Sequence, residues 1–305
     1  PGVFFSDALH PNGTPLYSAR IIPFRGSWVE FTTDVNDVMY VYIDRKKKFP
    51  VTMLLRAIGY STNEEIIDLF DLGVDMKIAL DQFPKMEGQM LAADIVDKTT
   101  GEVVAEQGKD ITEDMLEQCL SLGVKSIKMV KPSDPNAPNI ILNTLRKDTA
   151  KNDVESIEAI YRQLRSGEPP DIETARSLIE RMFFNEKRYD MGAVGRYRIN
   201  KKLNLDIPYD TTVLTRDDIN SIIQYLMELR EGIRPTDDID HLGNRRVRTV
   251  GEQLAAQFSV GLSRMARTIK ERMNIGDSDK LTPQHLVNAR TISSVINTFL
   301  GTSQL

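Results

Sequence analysis

The chain has 305 residues, of which 41% are hydrophobic and 27% are charged, and its formal net charge is −5 at pH 7. This composition is ordinary for a soluble globular protein, and the length suffices for two domains and a small third. The single cysteine, Cys119, excludes an internal disulfide and a cysteine-based zinc site, and no apolar run approaches the roughly 18 residues that span a membrane. We therefore expect a reduced, cytoplasmic setting.

The N-terminal part of the chain predicts β-strands and then helices. β-branched and aromatic residues are concentrated in LYSARIIPF, WVEFTT and VMYVYID, which turn residues at 11–13 and 34–37 punctuate. The segment VTMLLRAIGY has a helical spacing of apolar residues, and Thr62 with Glu65 forms a capping box that opens a second helix.

Residues 79–133, called the insert below, predict a separate β-rich unit. The stretch IVDKTTGEVVAEQGK predicts a hairpin around Thr100-Gly101, Thr112 caps a short helix that Gly123 ends, and VKSIKMV predicts a strand. The insert carries ten acidic and six basic residues, a net charge of −4, and the proline-broken connection KPSDPNAPN overlaps its end.

The rest of the chain predicts helices. DVESIEAIYRQLRSG and IETARSLIERMFF flank the turn Gly167-Glu168-Pro169-Pro170, Thr215 caps DDINSIIQYLMELREG, and Thr282-Pro283 opens a helix that ISSVINTFLG follows. Residues 250–273 place apolar side chains at 250, 254, 258, 262, 265, 269 and 273, one continuous helical face. The whole pattern predicts an α+β fold with small antiparallel sheets, helices, a β-rich insert and a mainly helical C-terminal part.

The charge is segregated along the chain. Residues 40–50 carry +3, residues 181–202 carry +5 and residues 240–275 carry +4, so the remainder carries −17. Basic segments on an acidic chain are typical of a selective nucleic-acid binder, although solvated surface charge explains them equally.

Residues 237–252 read DDIDHLGNRRVRTVGE and admit three interpretations: a metal site, an acid–base site or a clamp for an anion. The arginines oppose a cation, no second acidic cluster follows, and no nucleophile stands nearby. The favoured interpretation is a turn before a long helix, where arginines bind phosphates and Asp240 accepts a hydrogen bond from a base amine. The alternative is that these charges pair with each other on the surface.

Trp28 is the only tryptophan, and it follows a basic turn that contains Arg25. A lone tryptophan usually packs in a core, but beside Arg25 and near Arg45 it could instead stack on an unpaired base. The segment IDRKKKFP predicts a strand that runs into a basic loop, which can touch phosphates or simply favour solubility.

Several long motifs occur in a fixed order: GVFF, ARIIPFRGSW, IDRKKKFPVTMLLRAIGY, RSGEPP, RYDMGAVGRYRIN, DDIDHLGNRRVRTVGE and FLGTSQL. In this order they resemble the β subunit of bacterial DNA-directed RNA polymerase over nearly the whole chain. The insert resembles the lineage-specific, sandwich-barrel-like inserts of the large polymerase subunits.

The resemblance implies that the chain is a piece of a longer subunit. Residues 1–78 and 134–235 correspond to the lobe domain, residues 79–133 to the insert, and residues 236–305 to a connection and the second segment of the protrusion domain. Gln304 and Leu305 fall at the edge of the rifampicin pocket. Because the other protrusion segment lies outside this chain, the apolar face of residues 250–273 lacks part of its partner domain. We therefore expect residues 250–305 to pack against the lobe, to pack against a second copy, or to be less ordered.

The resemblance also assigns DNA-binding residues. Trp28, with Arg25 beside it, lies near the downstream edge of the bubble and stacks on a non-template base. Asp240 and Arg245, with Ile239 beside them, line a pocket for a flipped guanine. Facing downstream DNA or the non-template strand are Arg45, Arg165 and Arg188.

The catalytic magnesium of this family is held by the β′ partner, so no cofactor and no activity are expected for this chain alone. The expected partners are downstream and non-template DNA, the β′, α and σ subunits, and regulators on the insert, at the nucleoid and with no membrane. The alternative function is a protein-docking module for σ factor or regulators, through the lobe and the insert. A third possibility is an autonomous metal-dependent nuclease.

Overall fold

The computed structural model describes residues 1–79, 82–96, 103–131, 139–165, 167, 171–275 and 282–302. They form two compact units, Pro1–Asp238 and Ile239–Leu305. The hairpin turn predicted at Thr100-Gly101, most of the 131–139 connection and of the 167–170 turn, and Gln304 and Leu305 lie outside the described residues. Within the described part, none of the helices is long and apolar enough to cross a membrane.

The first unit begins with a five-stranded antiparallel sheet whose strands are paired in chain order. Strands β3 and β4 bury every second residue, which is the alternation that one buried sheet face requires. The strands predicted in this part are therefore confirmed. Their bounds are β1 (Gly2–Leu9), β2 (Pro15–Ile22), β3 (Val29–Thr33), β4 (Met39–Ile43) and β5 (Phe49–Pro50).

Two helices follow the sheet, α1 (Val51–Ile58) and α2 (Asn63–Leu69). The capping box at the start of α2 is confirmed: Thr62 Oγ1 accepts from the Glu65 N–H at 3.2 Å, and Glu65 Oε2 accepts from the Thr62 N–H at 3.2 Å. Helix α1 is buried along its whole length and belongs to the main core.

The insert folds around its own small core, which includes Leu116, Cys119, Ile127 and Met129. As predicted, Thr112 caps the helix, accepting from the Met115 N–H at 3.4 Å. Lys128 and Lys131 tie the insert to α2 and the residues after it through ion pairs with Glu64, Asp68 and Asp71. Strand β6 (Gly73–Lys77) directly precedes the insert and pairs with its last strand. The elements of the insert are α3 (Phe83–Met86), β7 (Ile95–Val96), β8 (Val103–Ala105), α4 (Glu113–Ser121) and β9 (Ser126–Val130).

Five further helices complete the first unit: α5 (Ile140–Lys147), α6 (Asp153–Arg165), α7 (Ile172–Phe183), α8 (Gly192–Leu203) and α9 (Arg216–Arg230). Helices α5, α8 and α9 pack on the sheet, whereas α6 and α7 pack on α1 and on each other. Thr215 caps α9 as predicted, in a capping box whose acid is Asp218. Asp218 also pairs with Arg196 at 2.6 Å, and both side chains are fully buried. This fold of helices and small antiparallel sheets is α+β, as predicted.

The second unit consists of α10 (Val250–Ile275), α11 (Pro283–Leu286) and α12 (Arg290–Gly301). Helices α10 and α12 meet at Gly261, where an added Cβ would lie 3.4 Å from the Ile292 backbone. The predicted apolar face of α10 is largely exposed, with Val250 at 68% and Phe258 at 43%. Thr282 precedes α11 as predicted, but its side chain makes no capping hydrogen bond.

Replacement of Asp218 by Asn should lower the free energy of unfolding by about 3 kcal/mol, because the buried Arg196 guanidinium loses its counter-charge. Urea denaturation followed by circular dichroism measures the change. Asp217→Asn is the matched control, since Asp217 is exposed one position earlier in the same helix. Equal stability of the two variants would contradict a stabilising role for the pair.

Candidate functional site

The turn between β2 and β3 (residues 23–28) is fixed to the segment 186–190. Arg25 and Asp190 exchange two backbone hydrogen bonds, at 3.0 and 2.7 Å, and Arg25 Nη2 donates to the Glu186 carbonyl at 3.0 Å. Gly26 has φ +136°, and an added Cβ would lie 2.6 Å from the buried Tyr189 ring. The turn is therefore held in place, with Phe24 and Trp28 exposed at its surface.

Trp28 lies at the end of this turn with 39% of its surface exposed, so it is not a core residue. The Trp28 N–H donates to Asp44 Oδ1 at 2.9 Å, and the Asp44 N–H donates back to the Trp28 carbonyl at 2.9 Å. The Arg45 guanidinium lies 5.7 Å from the indole centroid, a cation–π distance. Asp44 and Arg45 both have positive φ, which is how the chain turns the arginine back over the tryptophan.

A cavity of about 290 Å³ opens on the other side of the same turn. Arginines from three different segments converge on it: Arg165 ends α6, Arg181 lies in α7, and Arg188 follows α7. Its described lining contains no carboxylate and is completed by Gly26, Ser27, Leu178 and Met182. Three guanidinium groups around one opening make a site for an anion, above all a phosphate.

The basic loop after β4 is attached beside this cavity. Lys46 Nζ donates to the Leu164 carbonyl at 2.9 Å, next to Arg165. Five of the sequence-predicted residues thus lie at the β2–β3 turn. Arg25 and Trp28 belong to the turn itself, and around it lie Arg45, Arg165 and Arg188. Arg181 was not singled out from the sequence, and the available signal was that it begins the basic segment 181–202.

The remaining candidates, Ile239, Asp240 and Arg245, belong to the second unit. Arg245 Nη1 lies 3.3 Å from Asp240 Oδ1, and both side chains are highly exposed. Arg246 binds both carboxylate oxygens of Glu252, at 2.7 and 2.6 Å. Some of these charges thus pair with each other on the surface, as the alternative interpretation expects. Exposed ion pairs of this kind are weak enough to open for a ligand.

Asp237, the first acid of the same stretch, has a structural role in the first unit. Its carboxylate accepts from the Phe5 N–H at 2.9 Å and pairs with Lys202. The acids of 237–241 therefore do not act as one cluster. In the described ranges, no group of three or more histidine, cysteine, aspartate or glutamate side chains could hold a metal ion.

Comparison of the sequence with known proteins identifies the family of this chain. Residues 1–115 and 125–248 match the family model described as RNA polymerase Rpb2, domain 2. The whole chain is 53% identical to the DNA-directed RNA polymerase subunit beta of Flavobacterium johnsoniae and 52% identical to that of Bacteroides fragilis. It spans about a quarter of the length of these relatives. These matches confirm the resemblance inferred from the motifs.

Replacement of Gly26 by Ala tests whether the turn must lie against Tyr189. Gly13→Ala is the matched control, because Gly13 also has positive φ but an added Cβ there meets nothing within 4 Å. Both variants gain backbone strain, and only Gly26→Ala also clashes with a buried ring, so it should be about 2 kcal/mol less stable than the control. Thermal unfolding monitored by Trp28 fluorescence measures both, and equal melting temperatures would refute the close packing.

Proposed function

We propose a function from one premise: the chain belongs to the RNA polymerase Rpb2 domain 2 family. In the proposal it is a non-catalytic part of a bacterial RNA polymerase β subunit that holds downstream DNA and the non-template strand during transcription. The observation that carries the proposal is the convergence of Trp28, Arg45 and the three-arginine cavity on one rigid turn.

The chemistry of this surface suits a nucleic-acid backbone with unpaired bases. Guanidinium groups bind phosphate oxygens bidentately, and the described cavity lining offers them no carboxylate. The half-exposed indole of Trp28 offers a flat face for stacking, which every base can use regardless of sequence. Arg45 over that indole adds a positive charge where a phosphate would pass.

The second unit contributes base recognition in this proposal. The exposed carboxylate of Asp240 accepts hydrogen bonds from the amino and imino groups of a guanine turned out of the stack, and Arg245 contacts its phosphate or carbonyl. Ile239 supplies apolar contact beside them. Opening the 3.3 Å Asp240–Arg245 pair costs little, because both side chains are exposed.

Catalysis belongs to a partner subunit in this proposal. By its family membership the chain is proposed to leave the catalytic magnesium to β′ and to be inactive alone. The β′, α and σ subunits are its proposed partners, and the nucleoid is its proposed location.

Protein docking is the second candidate function, and the insert favours it. The insert carries a net charge of −4, which repels duplex DNA, and it folds around its own hydrophobic core. A surface of this kind suits σ factor or a regulator better than a nucleic acid.

Binding to bubble DNA across a salt series tests the DNA-holding function. The logarithm of the affinity should fall linearly with that of the salt concentration, and Arg188→Ala should reduce the slope by about 0.9 per lost phosphate contact. Arg234→Ala is the control, because Arg234 is paired with Glu228 and lies outside the cavity lining. Binding without salt dependence, or equal slopes for the two variants, would count against the proposal.

Asp240→Ala should change sequence preference more than total affinity. The expected loss is about tenfold in the preference for guanine over adenine at an unpaired non-template position, since one base contact is worth that much. Competition gel shifts with matched bubble DNAs measure it. Asp210→Ala, which removes an exposed acid of the first unit, should leave the preference unchanged. An unchanged preference in the Asp240 variant would remove Asp240 from the base pocket.

A further inference from the structure

Among the described strands, β6, which directly precedes the insert, pairs only with β9 of the insert and only on one side. Hydrogen bonds from the Lys131 N–H to the Leu72 carbonyl and from the Ile78 N–H to the Lys125 carbonyl fix the phase of this ladder. In that phase Val74 and Met76 bond to β9, whereas the N–H and C=O groups of Gly73, Asp75 and Lys77 point away from it. Across the described residues, no other strand pairs with this outer edge.

A groove of about 720 Å³ lies over one face of β6 and β9. Its floor consists of apolar side chains that Val74, Met76 and Met129 contribute, all on the sheet face that carries the core of the insert. Helix α3 and the residue Gln89 line the opposite wall. The groove is therefore an opening into the small core along β6, the strand whose outer edge pairs with no other described strand.

The charged groups that line the groove are both basic. Lys85 and Lys131 lie at it, and no carboxylate does so in its described lining, although the insert as a whole is acidic. Lys131 is also paired with Asp71 at 2.5 Å. Lys85 is exposed and complements an acidic ligand, whereas the charge of Lys131 is already shared with Asp71.

We propose that β6 and this groove bind an extended segment of a partner protein, which adds to the sheet as a further strand. Side chains of a strand alternate between its faces, so every second residue of the segment enters the groove. The matching sequence has apolar residues at the central groove-facing positions and carboxylates at the outer ones, near Lys85 and Lys131. The inference deepens the docking function proposed above and does not depend on DNA binding.

A second copy of this chain fits the groove less well than an acidic segment. The side chain of Asp75 lies on the face opposite Val74 and Met76, so a β6 strand from another copy offers no carboxylate to the lysines. Backbone pairing of this kind brings no carboxylate to Lys85, and Lys131 keeps only its pair with Asp71.

The test uses the whole chain and short labelled peptides, with fluorescence anisotropy as the readout. The matched peptide is Glu-Thr-Val-Thr-Ile-Thr-Glu, and the control Glu-Val-Thr-Ile-Thr-Thr-Glu has the same composition with its apolar residues on the other face. We expect saturable binding of the matched peptide and about tenfold weaker binding of the control. Equal affinity for both peptides, or no binding of either, would overturn the proposal.

Two variants at one position separate backbone pairing from side-chain effects. Asp75→Pro removes an outward N–H, a change that an edge strand tolerates, and should weaken binding about tenfold, whereas Asp75→Ala keeps the N–H and should bind normally. Peptide binding should also slow hydrogen exchange at the Asp75 and Lys77 amides. Undiminished binding by the proline variant would rule out strand addition.

Two controls make a negative result interpretable. Burial raises the pKa of the Cys119 thiol in the insert core, so a thiol reagent that modifies Cys119 slowly in every variant shows that the insert is folded. Lys85→Glu should shift preference towards a peptide whose terminal glutamates are lysines. Dimerisation of the chain through β6, seen by light scattering, would show that the edge binds a second copy of this chain and not a segment of a partner protein. That result would overturn the proposal.

Binding of the same variants to bubble DNA separates this inference from the DNA-holding function. Asp75→Pro should leave DNA binding unchanged. If Arg188→Ala loses DNA binding and keeps peptide binding, the docking function does not depend on DNA binding. If Asp75→Pro loses peptide binding and keeps DNA binding, the DNA-holding function does not depend on docking.

Discussion

The buried ion pair between Arg196 and Asp218 is the interaction on which the candidate site of the first unit depends. Arg196 donates to Asp218 at 2.6 Å and also to the carbonyls of Thr211 and Val213, so one guanidinium connects α8, the start of α9 and the loop between them. That loop accepts the Met191 N–H at the Thr212 carbonyl, at 2.7 Å. The chain immediately before α8 is thereby fixed in place.

From that segment the constraint reaches the candidate site. Tyr189 is buried beside the pair, its pKa is raised by this burial and by the Asp218 charge, and its ring supports the turn at Gly26. Asp190 holds the same turn by two backbone hydrogen bonds to Arg25. The exposed groups that contact a ligand therefore project from a scaffold whose own charges are paired and buried, which is how a binding surface keeps its geometry.

Local signals in the sequence predicted most of the fold. Thr62, Thr112 and Thr215 cap helices as expected, because a cap depends on residues three positions apart. Helix α8 lies in the part predicted to be helical, but its bounds were not predicted, since its buried face includes Arg196 and Asn200 and shows no apolar stripe. The count of charges per segment overstated how many arginines and lysines of residues 181–202 are available to a ligand. Arg196 and Lys202 are paired with Asp218 and Asp237, which are distant in sequence.

The position of the site could not be read from the sequence, because it arises from long-range contacts. Arg165, Arg181 and Arg188 meet only because α6 and α7 pack side by side behind the β2–β3 turn. The insert, by contrast, gathers many of its hydrophobic residues into a cluster distinct from the main core, while its Met90, Ala92 and Val130 pack with Ile67 and Leu142 outside it. The three arginines are brought together by α6, α7 and the β2–β3 turn and not by the insert, so the insert surface can vary in sequence with little effect on them. One chain thereby combines a constrained candidate site with an adaptable surface on the insert.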